Sequence, residues 1–330
     1  MKKIKIGIIG GAGYTAGELL RILLNHPNAE ISFIHSNSHA GHKVFEVHND
    51  LFGETELTFT DTLNINVDVL FLCLGHGKAI EFMDKNSIPE HVKIIDLSQD
   101  FRLKGNYTSP DGVNRKFTYG LPELRRNDIK QASNIANPGC FATAFELALL
   151  PLAAAKLINA EVHINGITGS TGAGQSPSDT THFSWRNNNI SIYKAFDHQH
   201  LKEVRLTLET AADSAIPMLN FIPIRGNFAR GIFLSAYTDC KLTADEAVAL
   251  YKDFYKDAAF TFVADHEISV KEVVNTNKCI LKVEKHNDKL LITSVIDNLT
   301  KGASGQAVQN MNLMFGLNEK AGLGLKAVSF

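Results

Sequence analysis

Three features of the chain predict an α/β protein built in two parts. A glycine-rich turn, Gly10-Gly11-Ala12-Gly13-Tyr14-Thr15-Ala16-Gly17, follows an apolar run and opens a helical pattern. Strand-like and helix-like segments then alternate through the first half, which implies a parallel sheet with helices on both faces. Longer strand patterns with fewer helices fill the second half and imply an α+β domain with a mostly antiparallel sheet. A length of 330 residues accommodates two such cores.

Taken in order, Ile4 to Ile9 reads as the first strand and Thr15 to Asn25 as a helix with Leu19, Leu20, Leu23 and Leu24 on one face. Glu30 to His35 is a second strand, and Val67 to Leu74 a continuous apolar one of the kind buried on both faces. Lys78 to Lys85 is helical, Val92 to Leu97 is a strand, and Ala132 to Ala136 leads into a turn. The longest apolar run, about Ala142 to Ala155, carries Glu146 and Pro151. A membrane span takes about 20 residues, so this run reads as a buried core helix. Val162 to Thr168, Phe221 to Ile224, Ile232 to Tyr237, Cys279 to Lys285 and Leu290 to Ile296 are strands. Helices are expected at His200 to Ala212, Ala244 to Tyr255 and about Gln306 to Phe315, the last with Ala307, Val308, Met311, Met314 and Phe315 on one stripe. Gly169 to Asn189 is rich in small polar residues and reads as a mobile flap.

Composition narrows the function. There are 33 basic and 35 acidic residues, a net charge of −2, and no charged block. Nothing there supports a nucleic-acid or membrane-surface partner. The Lys-rich, apolar start mimics a signal peptide, but its apolar stretch is short and broken by glycine, so it reads as a strand. Cys73, Cys140, Cys240 and Cys279 are widely spaced with no Cys-x-x-Cys pair. They read as reduced thiols, which favours a cytoplasmic setting.

The glycine turn fits the dinucleotide pattern, G-x-G-x-x-[GA], over Gly11 to Ala16. Placed between a strand and a helix, it makes the first domain Rossmann-type, with a pyrophosphate expected against Gly10, Gly13, Tyr14, Thr15 and Ala16 at the helix N-terminus. A NAD-preferring site usually ends its second strand on Asp or Glu. Here that stretch reads Ile34-His35-Ser36-Asn37-Ser38-His39, with no carboxylate, so NADP is favoured and Ser36 becomes a cofactor contact. Leu74-Gly75-His76-Gly77 is a second close-approach turn, with Gly75 beside the cofactor.

Asn137-Pro138-Gly139-Cys140 leads straight into helix-forming residues. A thiol on the first turn of a helix meets unpaired N–H groups and the positive end of the dipole, which favour the thiolate. The plainer reading, a buried small hydrophobe, fits this turn chemistry poorly. A cysteine and a nicotinamide cofactor together suggest covalent capture of an activated acyl group as a thioester, followed by hydride addition. His198-Gln199-His200-Leu201-Lys202-Glu203 supplies an acid/base group, since His200 and Glu203 are i, i+3 neighbours and the carboxylate can orient the ring. A metal pair at His198 and His200 lacks further ligands, so no metal is expected. Arg102 and Arg230 are candidates for carboxylate or phosphate contacts.

The combined motifs resemble the N-acetyl-gamma-glutamyl-phosphate reductases, the arginine-pathway members of the semialdehyde dehydrogenase group. The matching blocks are Gly13-Tyr14-Thr15 with Glu18-Leu19, Asp96-Leu97-Ser98 with Asp100-Phe101-Arg102-Leu103, and Tyr119-Gly120-Leu121-Pro122-Glu123-Leu124. They continue through Asn137-Pro138-Gly139-Cys140, His198-x-His200-x-x-Glu203, Arg230-Gly231, Asp297-Asn298-Leu299 and Lys301 to Asn310. The resemblance implies NADPH-dependent reduction of an N-acylated gamma-glutamyl phosphate to the semialdehyde, with release of phosphate. It assigns Cys140 as nucleophile, His200 as acid/base and Glu203 as its orienting partner. Ser98, Arg102 and Arg230 would meet the substrate, and Gly172 and Asn298 would lie near the nicotinamide. It further implies a discontinuous nucleotide domain, 1–139 with 301–330, around a catalytic and oligomerisation domain, 140–300. The assembly would be a homo-oligomer, a dimer or tetramer.

Departures from the family pattern gather near the expected substrate pocket: Phe141-Ala142-Thr143 after the cysteine, Gln175, Lys202, and Asn227-Phe228-Ala229 before Arg230. The third glycine of the nucleotide turn is Ala16. These departures leave the chemistry intact and keep a second acyl group, N-succinyl, open. The rival enzyme reading is an aspartate-semialdehyde dehydrogenase-like reductase. A rival of another class is an NADP-binding redox sensor. A cysteine hydrolase would leave the dinucleotide turn unexplained.

Overall fold

The computed structural model describes residues 3–328, so Met1 and Lys2 of the signal-like start and the last two residues of the first domain range lie outside it. The described chain forms two compact units. The first holds residues 3–139 and 303–324, and the second holds 140–302 and 325–328. The C-terminal segment therefore changes unit at Gly302/Ala303 and again after Gly324.

The first unit is built on one sheet. Its strands are β1 (Ile4–Ile9), β2 (Ala29–His35), β3 (Phe59–Thr60), β4 (Val69–Leu72), β5 (Lys93–Asp96), β6 (Asn106–Thr108), β7 (Asn114–Tyr119) and β8 (Asn134–Ala136). Their spatial order is β3-β2-β1-β4-β5-β8-β7-β6, and every neighbouring pair is parallel except β6 with β7. The order reverses between β1 and β4, the topological switch where doubly wound sheets bind their ligands. The helices between strands are α1 (Tyr14–Leu23), α2 (Val44–Val47), α3 (Lys78–Lys85) and α4 (Pro122–Gln131). Ile6, Ile8, Val69, Phe71, Leu72, Ile94 and Ile95 are fully buried. Continuous burial of this kind is what a parallel strand covered on both faces requires.

The second unit opens with α5 (Cys140–Ala154), followed by α6 (Phe183–Arg186), α7 (His200–Ala212) and α8 (Ala244–Phe254). Its strands are β9 (Val162–Thr168), β10 (Ser191–Ile192), β11 (Leu219–Arg225), β12 (Ile232–Asp239), β13 (Thr261–Val263), β14 (Cys279–His286) and β15 (Lys289–Ile296). They lie in the order β10-β11-β9-β12-β15-β14-β13. The pairs β11–β9 and β14–β13 are parallel and the other four antiparallel. Both expected architectures, a parallel Rossmann-type sheet and a mostly antiparallel α+β domain, are thereby found. A π-helical turn, Thr300–Ser304, precedes α9 (Gly305–Met314), which returns the chain to the first unit.

Several elements depart from their sequence pattern. The fourth strand is shorter than its apolar run, so Cys73 falls just beyond it. The hairpin β6–β7 and helix α4 have no clear apolar period; of α4 only Pro122 and Ile129 are buried. The segment expected to be a flap is made of short turns at Ser170–Ala173 and Asp179–Thr181 and of α6. Helix α9 is buried all round rather than along one stripe. Its polar residues are matched individually: Asn310 Nδ2 donates to the Gly120 carbonyl at 2.9 Å and to Asn137 Oδ1 at 3.1 Å, and Asn312 Nδ2 to the Ala321 carbonyl at 2.9 Å. Buried amides are tolerated when paired in this way.

Helix α5 is apolar but for Thr143 and Glu146 and is buried from Phe141 to Ala153. Pro151 lies inside it and has no N–H to give the Leu147 carbonyl one turn back. The hydroxyl of Tyr255 donates to that carbonyl at 2.6 Å, and Tyr251 donates to the next, Ala148, at 2.6 Å. Replacing Tyr255 with Phe removes the donor and leaves the carbonyl buried. The expected cost is about 1–3 kcal/mol, read as a lowered midpoint in chemical denaturation.

Candidate active site

In the first unit the glycine turn sits between the ends of β2 and β4. The amides of Gly10 and Gly11 donate to the His35 carbonyl at 3.1 and 2.9 Å. Gly10 has φ +81°, and a Cβ there would lie 2.5 Å from the Cys73 carbonyl oxygen, so only glycine fits. Around Gly13 the nearest atom to such a Cβ is 3.9 Å away, so this side of the turn is open. Helix α1 starts at Tyr14 with no side-chain cap at Gly13 and no acidic residue in its first turn. Its N-terminal amides and dipole thus have no side chain built in to neutralise them, as an anion site requires. Helix α3 differs: the Asp100 carboxylate accepts from the amides of Gly77 (2.7 Å), Ala79 (3.1 Å) and Ile80 (3.2 Å). Gly75, just before α3, has open space around it.

The turn is braced from behind by residues that no sequence motif marks. Buried His48 donates from Nε2 to the Gly11 carbonyl at 2.8 Å, and Ser304 Oγ donates to the Thr15 carbonyl at 2.7 Å. The Thr15 side chain pairs with the Cys73 thiol, whose pKa burial pushes up to about 12. Cys73 is therefore an inert thiol. Ser36 is buried, and its Oγ lies 3.4 Å from His39 Nδ1. No carboxylate ends β2 itself, but Asp61, just past the neighbouring β3, lies beside His35 and partly offsets the lowering of its pKa by burial. His42 and Lys43 are paired with Glu46 and Glu56.

Ser98 is fully enclosed. Its Oγ donates to Asp96 Oδ2 at 2.8 Å and accepts from the Asp100 amide at 3.1 Å. Burial pushes the Asp96 carboxyl up to about 7, partly opposed by the Ser98 bonds and the Arg102 charge. Arg102 is buried too; its Nε donates to the Asn137 carbonyl and its Nη2 to the Leu97 carbonyl, both at 2.9 Å. Its fork thus ties down the turn that leads to Cys140.

In the second unit α5 begins on Cys140 itself, with no acidic residue in the first turn. A Cβ on Gly302 would come within 2.8 Å of Cys140 Cβ, so glycine permits the return chain to pass there. Helix α7 packs against α5 and carries His200 and Glu203 on its first turn, both buried. The His198 ring links the two helices: it meets Phe141 at 5.6 Å between centroids and His200 at 4.8 Å. Its Nδ1 accepts the His200 amide at 3.3 Å. Burial, then Lys194, lowers the His198 pKa to about 4, so this ring is neutral near pH 7. Among the described residues no group of three His, Cys, Asp or Glu could hold a metal ion.

Gly172 and Asn298 are brought together, with Asn298 Nδ2 3.9 Å from where a Gly172 Cβ would stand. Asn298 joins the Thr171 hydroxyl (2.9 Å) to the Gly231 amide (2.7 Å). Arg230 grips Asp297 with Nε at 3.0 Å and Nη2 at 3.1 Å, and Nη2 also reaches Thr300 Oγ1 at 3.1 Å. Asp297 has no exposed surface and also accepts three backbone amides, those of Asn275, Leu299 and Thr300. Arg230 is thus tied to the protein by its Nε and Nη2, as Arg102 is. Sequence reasoning missed Arg186, Tyr193 and Arg225. The one signal for Arg225 was a second Arg-Gly pair, Arg225-Gly226, five residues before Arg230-Gly231.

Two family models define the class. Residues 5–132 match the semialdehyde dehydrogenase NAD binding domain, and residues 140–298 match the semialdehyde dehydrogenase dimerisation domain. The fold agrees: aspartate semialdehyde dehydrogenase II from Vibrio cholerae superposes with a TM-score of 0.73 at 16% identity, over 96% of this chain and 99% of that one. Proteins named N-acetyl-gamma-glutamyl-phosphate reductase from Christiangramia forsetii and Parabacteroides distasonis are each 56% identical, over 99% of this chain and all of theirs. The chain belongs to the N-acetyl-gamma-glutamyl-phosphate reductase family, as its motifs led one to expect.

Two stability measurements check this geometry. Because the folded-state pKa of His198 is depressed, its contribution is full above pH 6.5 and is lost as pH falls toward about 4. His198→Gln is therefore expected to lose melting temperature less steeply than the parent between pH 6.5 and 4. Arg230→Ala strands a buried carboxylate and is expected to cost about 3 kcal/mol, read in chemical denaturation.

Proposed function

We propose that the protein catalyses the NADPH-dependent reduction of N-acetyl-gamma-glutamyl phosphate to N-acetyl-glutamate semialdehyde, with release of phosphate. The observation that carries this reading is Cys140 at the first position of a buried helix, in a chain with full-length relatives of that name. The residues present fit the cofactor: Gly10 permits the tight turn, Gly13 leaves room beside it, and the uncapped N-terminus of α1 offers amides to its pyrophosphate. Tyr14, Thr15 and Ala16 would supply those amides, and Ser36 and Gly75 would flank the nucleotide. Gly172 and Asn298 would border the nicotinamide. When bound, NADPH supplies the hydride.

The chain's own residues do the rest. His200 takes the thiol proton as Cys140 Sγ attacks the gamma carbon, and the carbon–oxygen bond to phosphate breaks. Phosphate leaves and a thioester remains on Cys140. After reduction of the thioester carbon, the carbon–sulfur bond breaks, the aldehyde departs, and His200 returns the proton to sulfur. Glu203, one turn along α7, would hold the His200 ring. Asp297 spends Arg230 and the Asn137 carbonyl spends Arg102, so we assign these arginines to shaping the site; Ser98 likewise shapes its loop.

The family model for the second unit is named for dimerisation, which supports a homo-oligomer, a dimer or tetramer. No helix among the described residues is long and apolar enough to cross a membrane. The four cysteines form no disulfide among the described residues, the reduced state that a cytoplasmic setting maintains.

The test is the reverse reaction, phosphate-dependent reduction of NADP, with N-acetyl-glutamate semialdehyde, its N-succinyl counterpart and aspartate semialdehyde as separate substrates. The N-acetyl compound is expected to turn over, whereas turnover of aspartate semialdehyde alone would replace this reading. Cys140→Ser is expected to lose all reduction while binding NADPH as the parent does; a redox sensor would have no such activity to lose. His200→Asn is expected to lower kcat by about 10²–10⁴.

A further inference from the structure

A buried guanidinium needs a partner for its charge and its N–H groups; buried Arg186 lacks a carboxylate, and so does half-buried Arg225. Arg186 ends α6 and is 9% exposed. Its Nη2 donates to the Gly226 carbonyl at 2.8 Å, but its Nε is buried with no hydrogen-bond partner. Gly226 follows Arg225, the last residue of β11. Strand β10 pairs antiparallel with β11 and sets Ser191 opposite Arg225, so these side chains share a face with Tyr193 two residues on. The Arg225 guanidinium lies over the Tyr193 ring, 4.0 Å from its centroid. Ser191 Oγ is a second buried atom without a partner. Among the described residues no carboxylate pairs with Arg186 or Arg225. Burial and then the charge of Arg225 lower the Arg186 pKa, as expected of two like charges held together.

A chain of ring contacts leads from the cluster toward the start of α5. The Tyr193 ring meets His198 at 5.7 Å between centroids, and His198 meets Phe141, the residue after Cys140, at 5.6 Å. Burial and then the Cys140 charge raise the Tyr193 pKa. Phosphate bonded to the attacked carbon must leave from beside the sulfur. An anion among the arginines, one ring further off, belongs to the other end of the substrate.

We propose that Arg186, Ser191 and Arg225, walled by Tyr193, form a subsite that holds a carboxylate of the substrate remote from the reacting carbon. The inference rests on the reductase reading for what the substrate is. Two carboxylates share this chemistry: the alpha-carboxylate of the glutamyl part, and one carried by the N-acyl group.

Trp185 is the only tryptophan in the chain and precedes Arg186, so its emission reports on the subsite without turnover. Full-length parent protein, Arg225→Ala, Arg225→Lys and Arg186→Lys would be titrated with N-acetylglutamate, N-succinylglutamate and inorganic phosphate. Both carboxylate compounds are expected to give a saturable response. Arg225→Ala is expected to weaken binding about tenfold or more, and Arg225→Lys to recover part of the loss. Equal weakening of both compounds identifies the alpha-carboxylate; weakening of N-succinylglutamate alone identifies the acyl carboxylate. Arg186→Lys keeps the charge but loses Nε–H, and is expected to weaken the same compound. In the reverse reaction Arg225→Ala is expected to raise KM for the semialdehyde at least tenfold more than it lowers kcat, with KM for phosphate held. No saturable response in the parent, unchanged affinities in the variants, or an effect on phosphate alone would overturn the proposal. An inactive parent that still binds the carboxylates would end the reductase reading and leave the subsite standing.

Discussion

Helix α5 starts on the residue proposed as nucleophile and is then enclosed for almost its whole length. A chain end that must hold a thiol at the helix N-terminus cannot be allowed to fray. Four apolar residues in its second half, Leu147, Leu149, Leu150 and Leu152, are fully buried, at about 1.5–3 kcal/mol each. The tyrosine hydroxyls on the carbonyls around Pro151 let the helix keep a residue that would otherwise break its ladder. At the other end, Arg102 holds the Asn137 carbonyl and Asn310 holds the Asn137 side chain. The turn before Cys140 is thus held by contacts from residues far apart in sequence. The reactivity proposed for the thiol follows from its placement: first-turn amides favour a thiolate, and no carboxylate stands in the turn to oppose it.

The arginines divide by what surrounds them rather than by their motifs. Arg102 and Arg230 lie in the blocks that carry the family resemblance, and both spend their forks on the protein itself. Arg186 and Arg225 lie outside those blocks and keep donors in reserve. A guanidinium that closes a structural turn has strong reason to stay in a family, because its loss leaves carbonyls or a carboxylate unpaired. One that meets a variable part of a substrate is free to differ between relatives.

Much of the fold was legible because its cause is local. The strands β1, β2 and β9 and the helices α3 and α7 follow their apolar periods closely, and the glycine turn is marked by residues that few other turns need. Elements whose stability comes from elsewhere were not legible. Helix α4 buries only Pro122 and Ile129, and β3 and β10 are two-residue strands held by their neighbours. The apolar stripe of α9 was visible, but not its buried amides, because their partners Gly120, Asn137 and Ala321 are distant in sequence. For the candidate site the residue types were visible and their allegiances were not. Ser98 looks like a hydroxyl waiting for a substrate until Asp96 is found beneath it. His48 carries no sequence signal at all, although it holds the Gly11 carbonyl.

Helix N-termini show the same logic at three places. Each offers unpaired amides and a partial positive charge, and each is treated differently. At α3 the Asp100 carboxylate fills the site from a loop more than twenty residues away. At α8 a local Thr243 and Glu246 box does so. At α1 no side chain is supplied, and the wall is glycine. The ends of α3 and α8 are thus neutralised from within the chain, whereas α1 is left for the pyrophosphate proposed to bind it. The same separation governs its arginines. Charge satisfied within the chain builds the frame, and charge left over is where we propose that an anion from outside binds.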